Sequence, residues 1–184
     1  YPQKGKIIID ETPLNEIDIN SWRNCCGVVL QDGKIFSGTI ADNITLGSEI
    51  IDEKKIETVS KLACRDEFIQ KQPGKYNMKI GSTGIELSQG QKQRILIARA
   101  LYKDPQLLIF DEATSSLDTV NERRIMDNLK YYFMGRTVIV VAHRLSTVVN
   151  ADNIIFLENG KIAEQGTHKT LVAKKGKYYE LIKN

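Results

Sequence analysis

Two uninterrupted apolar runs, Leu107 to Phe110 and Val138 to Val141, constrain this chain more than any other feature. They are too short for stable helices and rich in β-branched and large apolar residues. A strand apolar at every position is expected to be buried on both faces, the habit of parallel strands covered by helices. Helical patterns lie around them: from Asp52 to Gln72, Ile56, Val59, Leu62, Ala63 and Phe68 recur at helical spacing, and Pro73-Gly74 closes the stretch. The alternation predicts an α/β fold with a mostly parallel sheet. Lys6 to Asp10 and Cys26 to Leu30 read as further strands, the second ending at Gln31-Asp32-Gly33. Asn159-Gly160 between Ile154–Leu157 and Lys161–Glu164 predicts a β-hairpin. A last helix is expected from about Thr167, carrying Leu171, Tyr178, Leu181 and Ile182.

Composition narrows the classes of function. The 184 residues, 41% hydrophobic and 27% charged, suffice for a real core. A net charge of +3, with scattered basic residues, gives no nucleic-acid footprint. Cys25, Cys26 and Cys64 match neither a zinc site nor a disulfide framework, and are expected to be small, mostly buried apolar residues in a reducing compartment. No apolar run approaches the ~20 residues that span a bilayer. The chain opens on Tyr1-Pro2-Gln3-Lys4 without a signal peptide or a methionine, which reads as a fragment or a processed chain.

Two segments carry chemistry. Leu107 to Phe110 runs into Asp111-Glu112, two carboxylates at the carboxyl end of a strand, where open α/β sheets bind ligands. One acid there can hold Mg²⁺ and its neighbour can orient a water, although acids also end strands simply as the chain returns to solvent. In Leu87-Ser88-Gln89-Gly90-Gln91, Ser88 can cap a helix and Gln91, three residues on, completes a capping box. The helix behind it has an apolar face at Ile95, Ala98 and Leu101 and stops at Asp104-Pro105. Its start offers free N–H groups and the positive dipole end to an anion, or is an ordinary capped helix.

Taken together, these segments resemble the ABC ATPases over essentially the whole chain. Leu87 to Gln91 resembles the ABC signature, Leu108 to Glu112 a Walker B strand with its glutamate, and Ser115-Ser116-Leu117-Asp118 the D-loop. Ala142-His143-Arg144-Leu145-Ser146 resembles the switch-histidine segment and Gln31 the Q-loop glutamine, all in the family's order. The resemblance implies a P-loop NTPase-like core, with about 32–105 as the helical signature subdomain and 1–31 and 106–184 as the rest of the α/β core. It further implies ATP and Mg²⁺ as cofactors. Asp111 would coordinate Mg²⁺ through water, Glu112 would be the general base, and Gln31 would sense Mg²⁺ and the transport subunit. His143 would contact the γ-phosphate. Ser88 and Gly90, with Gln91 beside them, would face a nucleotide held by a second ABC ATPase domain, and Asp118 would work across that dimer.

One part of the pattern does not occur. Backbone N–H groups and a lysine wrap the phosphates in G-x-x-x-x-G-K-[S/T], and every Gly-Lys pair here is followed by isoleucine or tyrosine. The resemblance places that loop just before Tyr1. The chain alone is therefore expected to bind ATP poorly, not to hydrolyse it, and to expose strand edges open to self-association.

Ile35-Phe36-Ser37-Gly38-Thr39-Ile40-Ala41-Asp42-Asn43-Ile44 resembles the exporter segment that meets the coupling helices of a transmembrane domain. This implies a place at the cytoplasmic face of the plasma membrane. The wording is closest to bacterial peptide or bacteriocin exporters. Gln89 replaces the commoner glycine of the signature, and Ser82 stands where exporters usually carry an acid. Two other functions compete: a regulatory module that only presents its signature helix, and a soluble ABC ATPase of DNA maintenance. Intact Asp111, Glu112 and His143 argue against the first. The exporter-like segment and weak net charge argue against the second.

Overall fold

In the computed structural model, the described residues are 2–183 apart from Gly47, Glu49, Arg65, Asp66, Thr83, 114–116 and 142–147; the side chains of Cys64 and Glu67 are also outside the description. Two compact units are present, Tyr1–Ile139 and Val140–Asn184.

The first unit opens with a small antiparallel pair, β1 (Ile8–Ile9) and β2 (Thr12–Pro13), turned at Asp10 with φ 51. The expected strand over Lys6 to Asp10 is thus a two-residue piece, because the chain reverses at Asp10. Helix α1 (Ile19–Cys25) is capped by Asp18, which accepts from the Ser21 N–H at 2.8 Å. It passes directly into β3 (Cys26–Val29), which runs parallel to β6 (Leu107–Asp111) with Val29 opposite Phe110. With β7 (Thr137–Val141) the sheet order is β3-β6-β7.

Between β3 and β6 the chain builds a helical layer. A short pair, β4 (Gly38–Thr39) and β5 (Lys79–Ile80), flanks α2 (Ile40–Ile44), α3 (Glu53–Cys64) and α4 (Glu67–Gln70). Helix α5 (Gln89–Tyr102) runs through the middle, packed on β3, α2 and α3. That position explains why Ile95, Leu96, Ile97, Ala98, Ala100, Leu101 and Tyr102 are all buried rather than one stripe of them. The predicted faces of 52–72 are found at Ile56, Val59 and Ala63, with Ile69 rather than Phe68 in the core.

Two expectations are corrected here. The apolar strands are not buried on both faces. Val29, Leu108 and Phe110 are within 3% of full burial, whereas Val28, Ile139 and Val141 are 46–49% exposed. Alternate residues of a strand point to opposite faces, and within the first unit the face carrying Val29, Leu108 and Phe110 is the one in the core, while Leu107 and Ile109 are only half-buried. The cysteines are also less buried than expected. Cys25 is exposed and Cys26 intermediate, because they occupy the exposed end of α1 and the first position of β3. Partial burial pushes the Cys26 thiol pKa up.

Helix α6 (Thr119–Tyr132) returns to the sheet, and Phe133 at its end meets Phe110 edge-on at 5.8 Å. Its C-terminus is bolted to the α5–β6 turn. The Tyr132 hydroxyl donates to the Leu101 carbonyl at 3.1 Å, and Arg136 bonds Asp104 at 2.6 Å while stacking 4.0 Å over the Tyr132 ring. Burial first, then the Asp104 charge, pushes the Tyr132 phenol up to about 12 from 10.0. The raised folded value favours the neutral phenol, so this contribution is whole below about pH 10 and is lost as pH rises toward 12. We expect the urea midpoint of the parent to fall more between pH 9 and pH 11 than that of Tyr132→Phe; equal falls would refute the linkage.

In the second unit, β8 (Ile154–Glu158) and β9 (Lys161–Gly166) form the predicted hairpin, with Asn159 at φ 49 and Gly160 at φ 72 supplying the left-handed turn. Ile154, Leu171 and Tyr178 are its core. The single helix expected after Thr167 is two, α7 (His168–Lys174) and α8 (Lys177–Lys183). Lys175 adopts φ 53, and Glu164 accepts from the N–H groups of Lys177 and Tyr178 at 2.8 and 3.2 Å, capping a new helix. Tyr178 is buried as expected, its hydroxyl 2.8 Å from His168 Nδ1, but Leu181 is 61% exposed. Among the described residues no helix is long and apolar enough to cross a membrane.

Candidate functional site

The strands β3 and β6 leave the sheet side by side, and their parallel register places the residues that follow each of them at one level. Gln31 thereby meets Glu112: its Nε2 donates to Glu112 Oε2 at 2.9 Å. Glu112 lies at φ 47, a left-handed conformation that costs a non-glycine residue about 1 kcal/mol or more. The chain thus turns sharply at the strand end and leaves Asp111 and Glu112 half-buried at the rim. The Asp111 side chain makes no hydrogen bond or ion pair among the described residues. With the Gln31 Nε2 committed, its Oε1 is the atom left to face a cation.

These donors fit Mg²⁺. Carboxylate and amide oxygens are hard ligands, and Mg²⁺ is ordinarily held by one or two carboxylates together with waters and substrate phosphates. Among the described residues there is no group of three or more His, Cys, Asp or Glu side chains that would form a closed protein cage.

The second cluster is the start of α5. Ser88 Oγ accepts from the Gln91 N–H at 3.2 Å while Gln91 Oε1 accepts from the Ser88 N–H at 2.8 Å, the predicted capping box. The Gln91 side chain is therefore occupied in shaping the helix end. The N–H groups of Gln89 and Gly90 remain without partners among the described residues, aimed out of the helix. A Cβ on Gly90 would sit 3.3 Å from Leu117 Cδ2, so the helix start lies against the segment that leads into α6. There Asp118 accepts from the Val120 and Asn121 N–H groups at 3.1 and 2.9 Å and from Asn121 Nδ2. These hydrogen bonds, Asn121 foremost, hold its carboxyl below the usual carboxylate range. Asp118 thus has a local task as a helix cap.

His143 and its neighbours 142–147 lie outside the described residues, as do Ser115 and Ser116 of the D-loop-like segment. Ser82, flagged by its place in the sequence, shares a 2.6 Å hydrogen bond with Ser37 in the segment after Gln31. Sequence reasoning missed the residues that hold that segment. Asn43 is 1% exposed, and Arg99 reaches it from α5. The available signal was an asparagine and an arginine standing inside otherwise apolar helix faces.

The chain's likenesses agree with this geometry. Residues 1–115 match the family model described as ABC transporter. The chain is 46% identical over 179 residues to an ATP-dependent lipid A-core flippase of Saccharophagus degradans, covering 97% of this chain and 30% of that protein. It is 44% identical to the heterocyst differentiation ATP-binding protein HepA of Nostoc, again over 97% of this chain and 30% of the relative. Against the mouse ATP-binding cassette sub-family B member 5 the identity is 44%, over 98% of this chain and 14% of the relative. A bacterial Atm1-family ABC exporter solved with ATP bound superposes with a TM-score of 0.94 at 38% identity, covering all of this chain and 32% of that one. The chain spans about a third or less of the length of these relatives. A family model matched over more than half of the chain, together with this superposition, shows that this chain belongs to the ABC transporter family and has its P-loop NTPase-like ATPase fold.

Proposed function

We propose that this chain is the ATP-binding and ATP-hydrolysing part of an ABC-type membrane exporter. It works as one of two such domains, a homodimer in the simplest case, beneath a transmembrane domain at the cytoplasmic face of the plasma membrane. One observation carries the reading: the Gln31–Glu112 hydrogen bond where two parallel strands end. It orients the Glu112 carboxylate at the strand end, where a carboxylate can take a proton from an attacking water. Relatives named as a flippase, a multidrug resistance protein and an exporter support the transport context.

Other roles follow from position. Asp111 and Gln31 Oε1 would hold Mg²⁺, which when bound neutralises charge on the β- and γ-phosphates. Ser88 and the free N–H groups of Gln89 and Gly90 would receive the γ-phosphate of a nucleotide held by the second domain, while Gln91 keeps that helix end in shape. His143 would add a further γ-phosphate contact, and Asp118 would act across the dimer. The 184 residues contain no Gly-x-x-x-x-Gly-Lys-Ser/Thr segment, so by themselves they would bind ATP poorly and not turn it over. Peptides are the proposed cargo. Stimulation of the ATPase by peptides, against lipid and small apolar drugs, separates that cargo from the alternatives.

The test is Gly90→Asp in the intact protein. An acid in the first turn favours the helix dipole by about 0.3–1 kcal/mol, and among the described residues the neighbour of the new Cβ is the far end of the Leu117 side chain, 3.3 Å away. Stability should therefore hold. The same charge opposes an incoming phosphate, so ATP turnover should drop at least about a hundredfold. Turnover within threefold of the parent would sink the proposed role of the α5 start.

A further inference from the structure

The residues between β3 and β4 form no ladder, yet they carry Gln31. A local turn and two contacts with α5 hold them. The turn holding Gln31 closes with the Gly33 N–H donating to the Leu30 carbonyl at 3.2 Å. Gly33 then sits so close to α5 that a Cβ would lie 2.6 Å from Leu96 Cδ1. One residue on, the Lys34 carbonyl accepts from Arg99 Nη1 at 2.9 Å.

Arg99 does more than this. Its Nε donates to the Asn43 carbonyl at 2.7 Å, its Nη2 to Asn43 Oδ1 at 2.9 Å, and its guanidinium lies 5.3 Å from the Phe36 ring centre. Asn43 in turn uses its whole hydrogen-bonding capacity. Its Oδ1 also accepts from the Phe36 N–H at 2.9 Å, and its Nδ2 donates to the carbonyls of Phe36 and Thr39 at 2.9 and 3.0 Å. Among the described residues Arg99 has no carboxylate partner. The partly buried cation is balanced by loop carbonyls, an amide oxygen and a ring face, so the loop must keep one shape to surround it. A lysine, with a single point charge, cannot reproduce a fork that bonds two residues at once.

We infer that Arg99 is a positioning residue for the proposed hydrolytic site, acting through the segment from Lys34 to Asn43 to hold Gln31 against Glu112. This rests on the ATPase reading above. It ties the helix that presents Ser88 and Gly90 to the pair that orients water, so that the two clusters of the site share one rigid support.

The experiment is a double-mutant cycle on the intact protein with Arg99→Lys, Gln31→Ala and both. Arg99→Lys should lower kcat by about tenfold, leave the ATP KM within about twofold and keep the melting temperature within a few degrees. In the Gln31→Ala background the same change should be nearly silent, because the residue it acts through is gone. Losses that multiply, a KM that moves with kcat, or an Arg99→Lys rate within twofold of the parent would overturn the inference. Should Arg99→Lys not fold, Arg99→Met carries the same cycle, since it keeps the apolar stem and removes the guanidinium that bonds Lys34 and Asn43.

Amide exchange gives a second readout independent of turnover. The Phe36 N–H should exchange faster in Arg99→Lys while the middle of α5 stays protected, and unchanged exchange at Phe36 would also overturn the inference. If the parent protein hydrolyses no ATP, or Glu112→Gln hydrolyses it normally, the ATPase reading fails. The exchange arm then still decides whether the clamp exists.

Discussion

Glu112→Gln in the intact protein is expected to lower ATP turnover by roughly two to four orders of magnitude while leaving nucleotide binding in place. The substitution is nearly isosteric, and the amide oxygen of glutamine can still accept from Gln31 Nε2, so the 2.9 Å contact and the turn at φ 47 survive. What disappears is the ability to take a proton from water. Steady-state phosphate release and equilibrium binding of a nucleotide, measured side by side, separate the two quantities. Turnover within tenfold of the parent would mean that Glu112 is not the base and that its bond to Gln31 serves structure alone. Loss of binding together with turnover would point to a collapsed strand end.

The largest expected effect on stability comes from Gly27→Val. Valine is favoured over glycine in a strand, so propensity alone predicts a gain for β3. Packing predicts the reverse. A Cβ at Gly27 would lie 2.7 Å from the Ala100 carbonyl oxygen, 2.7 Å from Pro105 Cγ and 2.9 Å from Leu108 Cδ2. Two of these neighbours cannot swing away: one is backbone of α5 and the other a ring at the turn into β6. We expect a loss of about 3 kcal/mol or more, read as a lower urea midpoint at constant slope by the fluorescence of Trp22, the single tryptophan, in α1 just before β3. A midpoint equal to or above the parent's would show that α5 can back away from the sheet. The position matters for function because Gln31 follows four residues later. A strand forced off α5 would carry that glutamine away from Glu112.

Several elements were legible because their causes are local. The capping box at Ser88 and Gln91 needs only two side chains three residues apart, and the hairpin at Asn159-Gly160 needs only two residues that tolerate positive φ. The strand carrying Asp111 and Glu112 announced itself by its unbroken apolar run. The order of the motifs was sufficient to identify the family, since each motif is a short string whose wording stands in the sequence whether or not it is folded.

What was not legible depends on residues distant in the chain. Gln31 and Glu112 are 81 positions apart, and Arg99 and Asn43 are 56 apart. No periodicity announces that a particular polar pair will meet. The same holds for the break between α7 and α8, where Glu164 from a neighbouring strand caps a helix that the apolar spacing reads as continuous. It holds too for the faces of the sheet, because an apolar run shows that a strand tolerates burial on both sides but not which side the chain covers.

By itself, then, the sequence determined the alternation of strand and helix, the caps and turns, and the chemical inventory of a family ATPase: two acids at a strand end and a serine with a glycine at a helix start. Only the tertiary structure decided that Gln31 orients one oxygen of Glu112, that Glu164 caps the last helix, and that Arg99 and Asn43 hold the intervening segment. The physical reason is range. Dihedral preferences and capping bonds act over three or four residues. A buried hydrogen-bond network is selected by which groups packing leaves without water, and that is settled only once the whole unit is folded.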